Sequence, residues 1–296
     1  MIEIDLWLFY SFGVIFSLFV GIIQVTASFR KRGDVMVRIE DINMGCRIYG
    51  EGYPLLLIMG YGGTMNLWEE RFLRSLAQKY RVIVFDNRGM GETSSGHKHF
   101  TIEQFSDDTY ELMVALNIEK AHVLGWSMGA SIAQELALRH PEIVNKLILY
   151  ASLCHPEIFP PEPKVLSKLE NSLGIPFEND YQWLHLLFPS DWIKSNQDRI
   201  REIFQRPLGT IDPDSIHKQA EAINKWEGTC NRIPFLKHET LVIDGKDDLI
   251  LPSENSAYLA SKLPNSKLIL IAEAGHGLMF QNPDKFNLII NLFLDQ

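Results

Sequence analysis

The stretch VLGWSMGASIAQELALRHPE, residues 123–142, passes from an apolar run into a helical pattern without an intervening loop. At the change, Ser127 stands between two glycines, Gly125 and Gly129. Glycine tolerates the close backbone approach that so tight a turn requires, and Gly-x-Ser-x-Gly is the spacing of a turn that raises a serine hydroxyl above a strand end. The free N–H groups of the next helix would point at the same place. This context favours a reactive Ser127 over a glycine-bounded turn with an incidental serine.

Length and composition suit a sizeable α/β domain, because the chain has 296 residues, of which 46% are hydrophobic. Continuous apolar runs alternate with amphipathic segments, which predicts a mostly parallel β-sheet with helices on both faces. The predicted strands are 54–60, 81–86, 121–126, 146–152, 240–245 and 267–273. The predicted helices are 68–78, 102–116, 128–139, 254–263 and 283–294.

The charge and the cysteines exclude several classes of protein. The net charge is −9 and no run of Lys and Arg is longer than residues 30–32, which argues against a nucleic-acid partner. The three cysteines, Cys46, Cys154 and Cys230, are far apart and odd in number. Their spacing indicates three free thiols, with neither a disulfide framework nor a metal knuckle. No cofactor is expected.

The first residues form an apolar stretch of their own, since 6–29 contain no charged residue. As a helix this stretch would be about 36 Å long, enough to cross a bilayer. A cleaved signal peptide is the alternative, but no basic residue precedes the stretch. Basic residues follow it at 30–32, and the positive-inside rule then places the rest of the chain in the cytoplasm. The prediction is a single-pass membrane protein anchored by 1–32.

No apolar strand runs occur between 155 and 235. This segment begins with several prolines and contains scattered aromatic residues. This pattern predicts a helical cap or lid inserted into the main domain. The core domain is then 33–154 together with 236–296. Candidates for lining a substrate pocket under the lid are Trp126, Trp183, Phe188 and Trp192, although aromatic residues of this kind usually serve as packing.

A serine hydroxyl is a weak nucleophile and needs a base that a third group orients. Among the nine histidines, His276 follows the last predicted strand directly, where parallel sheets present functional side chains. Three carboxylates, Asp244, Asp247 and Asp248, follow or end the preceding strand. The order serine, acid, histidine is the one that accompanies this type of serine turn.

The glycines of MGYGG, residues 59–63, follow the strand 54–60 and could supply a backbone N–H to an oxyanion. The second donor would be the residue after the nucleophile, Met128. A dinucleotide fingerprint is the alternative for these glycines. It fails because Met65 stands where GxGxxG requires its last glycine, and Ser94 stands there in the second glycine cluster.

Residues 46–296 resemble the α/β-hydrolase fold superfamily along nearly their whole length. Besides the serine turn, four segments match motifs of this superfamily in order. MGYGG (59–63) matches its oxyanion loop, and FDNRGMG (85–91) matches its DxRGxGxS turn. GKDDLILP (245–252) matches its GxxDxxxP acid loop, and AGHG (274–277) matches its histidine loop. The resemblance implies a Ser127–Asp248–His276 triad and an oxyanion hole made by the N–H groups of Tyr61 and Met128. Two departures are Thr93 near the usual serine and Met59 where the family often has histidine.

The activity that this resemblance implies is hydrolysis of a small carboxylic ester-like substrate through an acyl-enzyme. The same motifs occur in lactonases, proline-type aminopeptidases and cofactor-free haloperoxidases, so these activities stay open. An acyltransferase, or a non-hydrolytic ligand receptor that retains the triad, are further alternatives, because one fold hosts many functions. A dehalogenase is disfavoured because it would need an aspartate at position 127.

Overall fold

A computed structural model describes residues 33–172, 184–204 and 209–296. Its sheet has eight strands in the order β1-β2-β4-β3-β5-β6-β7-β8. The strands are β1 (Asp34–Ile39), β2 (Ile42–Tyr49), β3 (Tyr53–Ile58), β4 (Tyr80–Phe85), β5 (Ala121–Trp126), β6 (Val144–Tyr150), β7 (Glu239–Gly245) and β8 (Ser266–Ile271). β1 and β2 pair antiparallel, and β3 to β8 are parallel to one another. The prediction of a mostly parallel sheet is therefore confirmed.

The helices cover both faces of the sheet. They are α1 (Glu70–Leu76), α2 (Ile102–Ala115), α3 (Met128–Arg139), α4 (Pro163–Ser172), α5 (Leu184–Leu187), α6 (Ser190–Ser195), α7 (Gln197–Phe204), α8 (Pro213–Lys225), α9 (Glu254–Lys262), α10 (Leu278–Gln281) and α11 (Pro283–Leu294). Alternate residues of a strand point to opposite faces. In β3, Leu56 and Ile58 pack with α2 and α3, whereas Leu55 and Leu57 pack with α1 and α11. One sheet thus supports two apolar cores.

The hairpin of β1 and β2 was not among the predicted strands. Buried positions in both strands are interrupted by exposed or partly exposed ones, as at Val35, Met36 and Arg38 of β1, so that neither strand forms a continuous buried apolar run. This is the pattern of an antiparallel pair at the margin of a sheet, where one face is only partly covered. A pattern of continuous apolar runs therefore does not include this hairpin.

The prediction of a single-pass membrane location is wrong. Across 33–172, 184–204 and 209–296, no helix combines the length and the apolar character needed to cross a bilayer. The apolar stretch 6–29, on which the anchor and the cytoplasmic orientation depended, lies outside the described residues.

Between β6 and β7, the described residues form helices α4 to α8. α8 begins at a capped end, because the Asp212 carboxylate accepts the N–H of Ser215 (3.1 Å). At the base of this segment, Glu135 of α3 accepts hydrogen bonds from Trp226 Nε1 (2.9 Å) and Arg232 (2.8 Å). The segment is thus fixed to the core near its exit, while its role as a lid stays a prediction.

The prediction of three free thiols is wrong for two of them. Cys154 and Cys230 form a disulfide with their Cα atoms 5.0 Å apart, although 76 positions separate them in sequence. The two cysteines stand near the entry and exit of the β6–β7 segment, where the N–H of Thr229 also donates to the carbonyl oxygen of Cys154 (2.7 Å). Cys46 is free and buried, and burial raises the pKa of its thiol to about 12.

Reducing this disulfide is expected to lower the free energy of unfolding by about 2–4 kcal/mol, because a long loop in the unfolded chain is no longer closed. Urea denaturation with and without reductant measures the change. The Cys154→Ser/Cys230→Ser double variant is the matched control, and reductant should leave its unfolding unchanged. Coincident unfolding curves of the oxidised and reduced wild-type chain would contradict the prediction.

Candidate active site

The turn between β5 and α3 consists of Ser127 alone, with φ +57° and ψ −122°. A Cβ at Gly125 would lie 2.2 Å from the carbonyl oxygen of Gly129, and a Cβ at Gly129 would lie 2.1 Å from that of Ile58. Both positions thus require glycine because backbone passes directly against them. This is the tight strand–helix turn that the glycine spacing predicts, and it holds Ser127 in a strained left-handed conformation.

His276 and Asp248 lie in contact, with His276 Nδ1 2.6 Å from Asp248 Oδ2. The other carboxylate oxygen of Asp248 accepts the N–H groups of Ile250 (2.8 Å) and Leu251 (2.9 Å), which fixes the side chain. Asp247 is exposed. Of the two loop carboxylates considered from the sequence, Asp248 is therefore the one that reaches the histidine.

The histidine loop lies beside the serine turn. The ring centroids of His276 and Trp126 are 5.7 Å apart, and Trp126 directly precedes Ser127. The structure thus brings the three predicted triad residues to the carboxyl ends of β5, β7 and β8. Their catalytic roles stay proposals.

Tyr150, the last residue of β6, anchors the histidine loop from below. Its hydroxyl donates to the carbonyl oxygen of His276 (2.6 Å) and accepts the N–H of Met279 (3.3 Å). Burial raises the pKa of Tyr150 well above its usual range, so the phenol keeps the proton that it donates. Sequence reasoning missed this residue. Its only signal was a polar group at the end of a buried strand.

The oxyanion loop lies against the serine turn. A Cβ at Gly60 would lie 3.2 Å from Ser127 Cβ, so the next residue, Tyr61, is placed close to the nucleophile. Met128 is the first residue of α3, and N–H groups in a first helical turn have no intrahelical acceptor. The predicted donors at Tyr61 and Met128 are thus both positioned next to Ser127. Burial raises the pKa of the Tyr61 phenol to about 12.

Two residues of the predicted DxRG turn hold the oxyanion loop in place. Asn87 Nδ2 donates to the carbonyl oxygen of Met59 (2.9 Å), and Asp86 Oδ1 accepts the N–H of Met65 (2.6 Å). Burial raises the pKa of Asp86 to about 6, although its backbone hydrogen bonds favour the ionised form. The family motif marked these positions, but their contact with the oxyanion loop is a tertiary feature.

Asp244 is a second buried carboxyl behind Asp248. Its Oδ2 lies 2.7 Å from Ser256 Oγ, and Ser256 Oγ lies 3.1 Å from the carbonyl oxygen of Ser152. A hydroxyl has one proton to donate. A protonated Asp244 would donate to Ser256 and leave the serine proton for the Ser152 carbonyl. Burial, and then the charge of Asp248, raise the pKa of Asp244 well above its usual range.

Asp244→Asn is expected to gain stability relative to wild type as pH rises. In the wild-type chain the folded state holds the proton of Asp244 more tightly than the unfolded state does. Stability contributed by this group is therefore full below the unfolded pKa near 4 and is lost as pH rises toward the folded value. Asparagine mimics the neutral acid and cannot ionise. Thermal unfolding of both chains between pH 4.5 and 8 measures the difference.

The exposed Asp247→Asn change serves as the control for this comparison and should show no such trend. A Tm difference between wild type and Asp244→Asn that stays constant with pH would show that Asp244 is ionised in the folded chain.

The predicted pocket residues fall into different places. Trp126 is 3% exposed and stacks on Tyr150, with ring centroids 5.6 Å apart. Phe188 is also buried, and its ring lies 4.7 Å from that of Trp192. Trp183 lies outside the described residues. Phe188 also touches the histidine loop, because a Cβ at Gly277 would lie 2.4 Å from its ring. Their contact with a substrate stays a prediction.

Together, the sheet, the serine turn and the histidine–aspartate pair define the class of the protein. The family model of the alpha/beta hydrolase fold matches residues 53–283. The chain therefore belongs to this family and is an α/β-fold hydrolase.

Proteins similar to this chain include the following relative in sequence and two solved structures in fold. Over 246 residues, the chain is 29% identical to "Putative carbamate hydrolase RutD" of Caulobacter sp. (strain K31), covering 81% of this chain and 90% of that protein. An enol-lactonase of Burkholderia xenovorans LB400 superposes with a TM-score of 0.74 at 22% identity, covering 88% and 100% of the two chains. A thermophilic esterase of Thermogutta terrifontis gives 0.74 at 23% identity, covering 90% and 98%. At these identities the two structures support the fold alone.

Proposed function

We propose that the protein hydrolyses carboxylic ester-like substrates through an acyl-enzyme on Ser127. The observation that carries this proposal is the 2.6 Å contact between His276 and Asp248, with the His276 ring beside Trp126, the residue that precedes Ser127 in its one-residue turn. The names of the relatives agree with it, because carbamates, lactones and esters all present a carbonyl carbon bonded to a leaving group.

The contact with Asp248 determines the role of each histidine nitrogen. Asp248 accepts a hydrogen bond from Nδ1–H of His276, which leaves Nε2 with a free lone pair. Nε2 takes the proton of the Ser127 hydroxyl as the serine oxygen attacks the carbonyl carbon. The carboxylate of Asp248 then stabilises the imidazolium.

The tetrahedral intermediate places its negative oxygen between the N–H groups of Tyr61 and Met128. Its collapse breaks the bond to the leaving alcohol, which receives the proton from His276 Nε2. Water, deprotonated by the same nitrogen, then attacks the acyl-enzyme, and the carboxylic acid is released while Ser127 recovers its proton.

The β6–β7 segment acts in this proposal as a lid over the site. It contacts the histidine loop, since the N–H of Gly277 donates to the carbonyl oxygen of Leu187 (2.9 Å). It also contacts the oxyanion loop, since the N–H of Gly62 donates to Gln219 Oε1 (2.9 Å). A segment bonded to both loops is well placed to determine which acyl groups enter.

Labelling with a fluorophosphonate, followed by mass spectrometry, tests the nucleophile, and a panel of p-nitrophenyl esters, lactones and carbamates tests the substrate class. Ester turnover that disappears in Ser127→Ala supports the proposal. A preference for carbamates or lactones would show that the substrate is a carbamate or a lactone and not a simple ester. Labelling that persists in Ser127→Ala would contradict the proposal, and stable binding without turnover would indicate a receptor.

A further inference from the structure

Gln219 is a buried polar residue on the face of α8 that packs against the core. The buried positions of this helix are Ser215, Ile216, Gln219 and Ala222, and Gln219 is 0% exposed. Placing a carboxamide in such a position costs free energy unless both its oxygen and its nitrogen find partners. In the sequence, the only indication that Gln219 is buried is its helical spacing from Ile216 and Ala222.

The orientation of the Gln219 carboxamide follows from the hydrogen bond that its side chain makes with Gly62. Its Oε1 accepts the N–H of Gly62 at 2.9 Å. An N–H group can only donate, so the oxygen must face Gly62 and the NH₂ group must face elsewhere. Within the described part of the chain, Nε2 has no hydrogen-bond partner. A buried donor is thus left available beside the oxyanion loop.

The contact with Gly62 places this donor beside the loop that also contacts Ser127. Gly62 is two residues beyond Gly60, which touches Ser127. Gly62 has φ +63°, and a Cβ added to it would meet nothing within 4 Å, so open space adjoins the loop here. Other buried donors also lack a partner in the described ranges, but of these Gln219 is the one whose oxygen is bonded to the oxyanion loop.

We propose that Gln219 is a specificity-determining residue whose Nε2–H donates to a second oxygen of the substrate, close to the scissile carbonyl. The substrate class is then esters that carry an additional ether, carbonyl or carboxyl oxygen within a few bonds of that carbonyl. Oε1 of the same side chain holds the oxyanion loop through Gly62. This inference rests on the proposed function, because it takes the Ser127 site as the place where substrate binds.

The test uses pairs of esters that differ by one oxygen in place of a methylene group. p-Nitrophenyl methoxyacetate and p-nitrophenyl butyrate form the acyl-side pair, and 2-methoxyethyl acetate and butyl acetate form the alcohol-side pair. In Gln219→Met the side chain keeps its length but loses both polar groups. Loss of the contact with Gly62 lowers kcat/KM for both members of a pair. Loss of the donor lowers it further for the member with the extra oxygen.

For one of the two pairs, this additional loss is expected to be about 2- to 10-fold, the worth of one neutral hydrogen bond. The pair that responds identifies the side of the ester that Gln219 contacts. His217→Met, an exposed change on the same helix, is the matched control and should leave every ratio unchanged. Equal losses within both pairs would overturn the proposal and leave Gln219 with the role of holding the loop only.

Calorimetric binding of the same esters to Ser127→Ala separates this inference from the proposed function. The ester with the extra oxygen should bind about 2- to 10-fold more tightly than its partner, and Gln219→Met should abolish this preference. A preference that is present without any Ser127-dependent turnover would sink the proposed hydrolysis but support the role of Gln219. Equal binding of both members in both pairs would overturn the role of Gln219 by itself.

Discussion

Replacing Ser127 or His276 with alanine is expected to lower kcat for ester hydrolysis about 10⁴- to 10⁶-fold, and combining the two changes should add little. The serine supplies the attacking oxygen and the histidine removes its proton, so either loss abolishes the same step. The activity that remains would come from the oxyanion hole and from substrate binding. Steady-state kinetics of p-nitrophenyl ester hydrolysis measures each variant.

Ser131→Ala is the matched control, because Ser131 is a serine in the first turn of α3, four residues after the nucleophile. It should leave kcat nearly unchanged, and circular dichroism should show that all variants are folded. Multiplicative losses in the double variant would contradict the idea that Ser127 and His276 act as one unit.

Asp248→Asn is expected to lower kcat about 10³- to 10⁴-fold, whereas Asp247→Asn should change it by less than about 3-fold. Asp248 accepts from His276 Nδ1 and is locked by two backbone N–H groups. An asparagine there can present its NH₂ group to the histidine, which favours the wrong tautomer and leaves the imidazolium without a counter-charge. The exposed Asp247 has neither contact, so it provides a control one residue away.

Measuring kcat for both variants across pH 5–9 distinguishes catalytic loss from a shifted profile. A larger loss in Asp247→Asn than in Asp248→Asn would show that the acid loop is arranged differently when substrate binds.

Much of the fold could be predicted because parallel strands buried on both faces must be apolar along their whole length. β5 and α3 begin and end where the sequence pattern places them, and so does α11. The hairpin of β1 and β2 was not predicted because a partly covered edge allows exposed polar residues, such as Arg38 and Asn43, within its strands. The prediction of a membrane anchor is wrong for a different reason. It rested on the hydropathy of one isolated segment, and no helix in the described ranges has the properties of a span.

The sequence by itself determined the local geometry of the serine turn. A Cβ at either glycine beside Ser127 would lie only 2.1–2.2 Å from a backbone carbonyl oxygen, and this requirement for glycine is visible in five consecutive residues. The candidate histidine could also be placed, because a loop after a parallel strand necessarily lies at the carboxyl edge of the sheet.

Only the tertiary structure decided which distant groups meet. The Cys154–Cys230 disulfide, the Tyr150 contact with His276 and the Gln219 contact with Gly62 each join residues far apart in the chain. Their partners are determined by the order in which strands pair and by the path of the β6–β7 segment. The local sequence pattern does not predict these contacts, because the spacing of residues along a strand or helix constrains only the neighbours within that element.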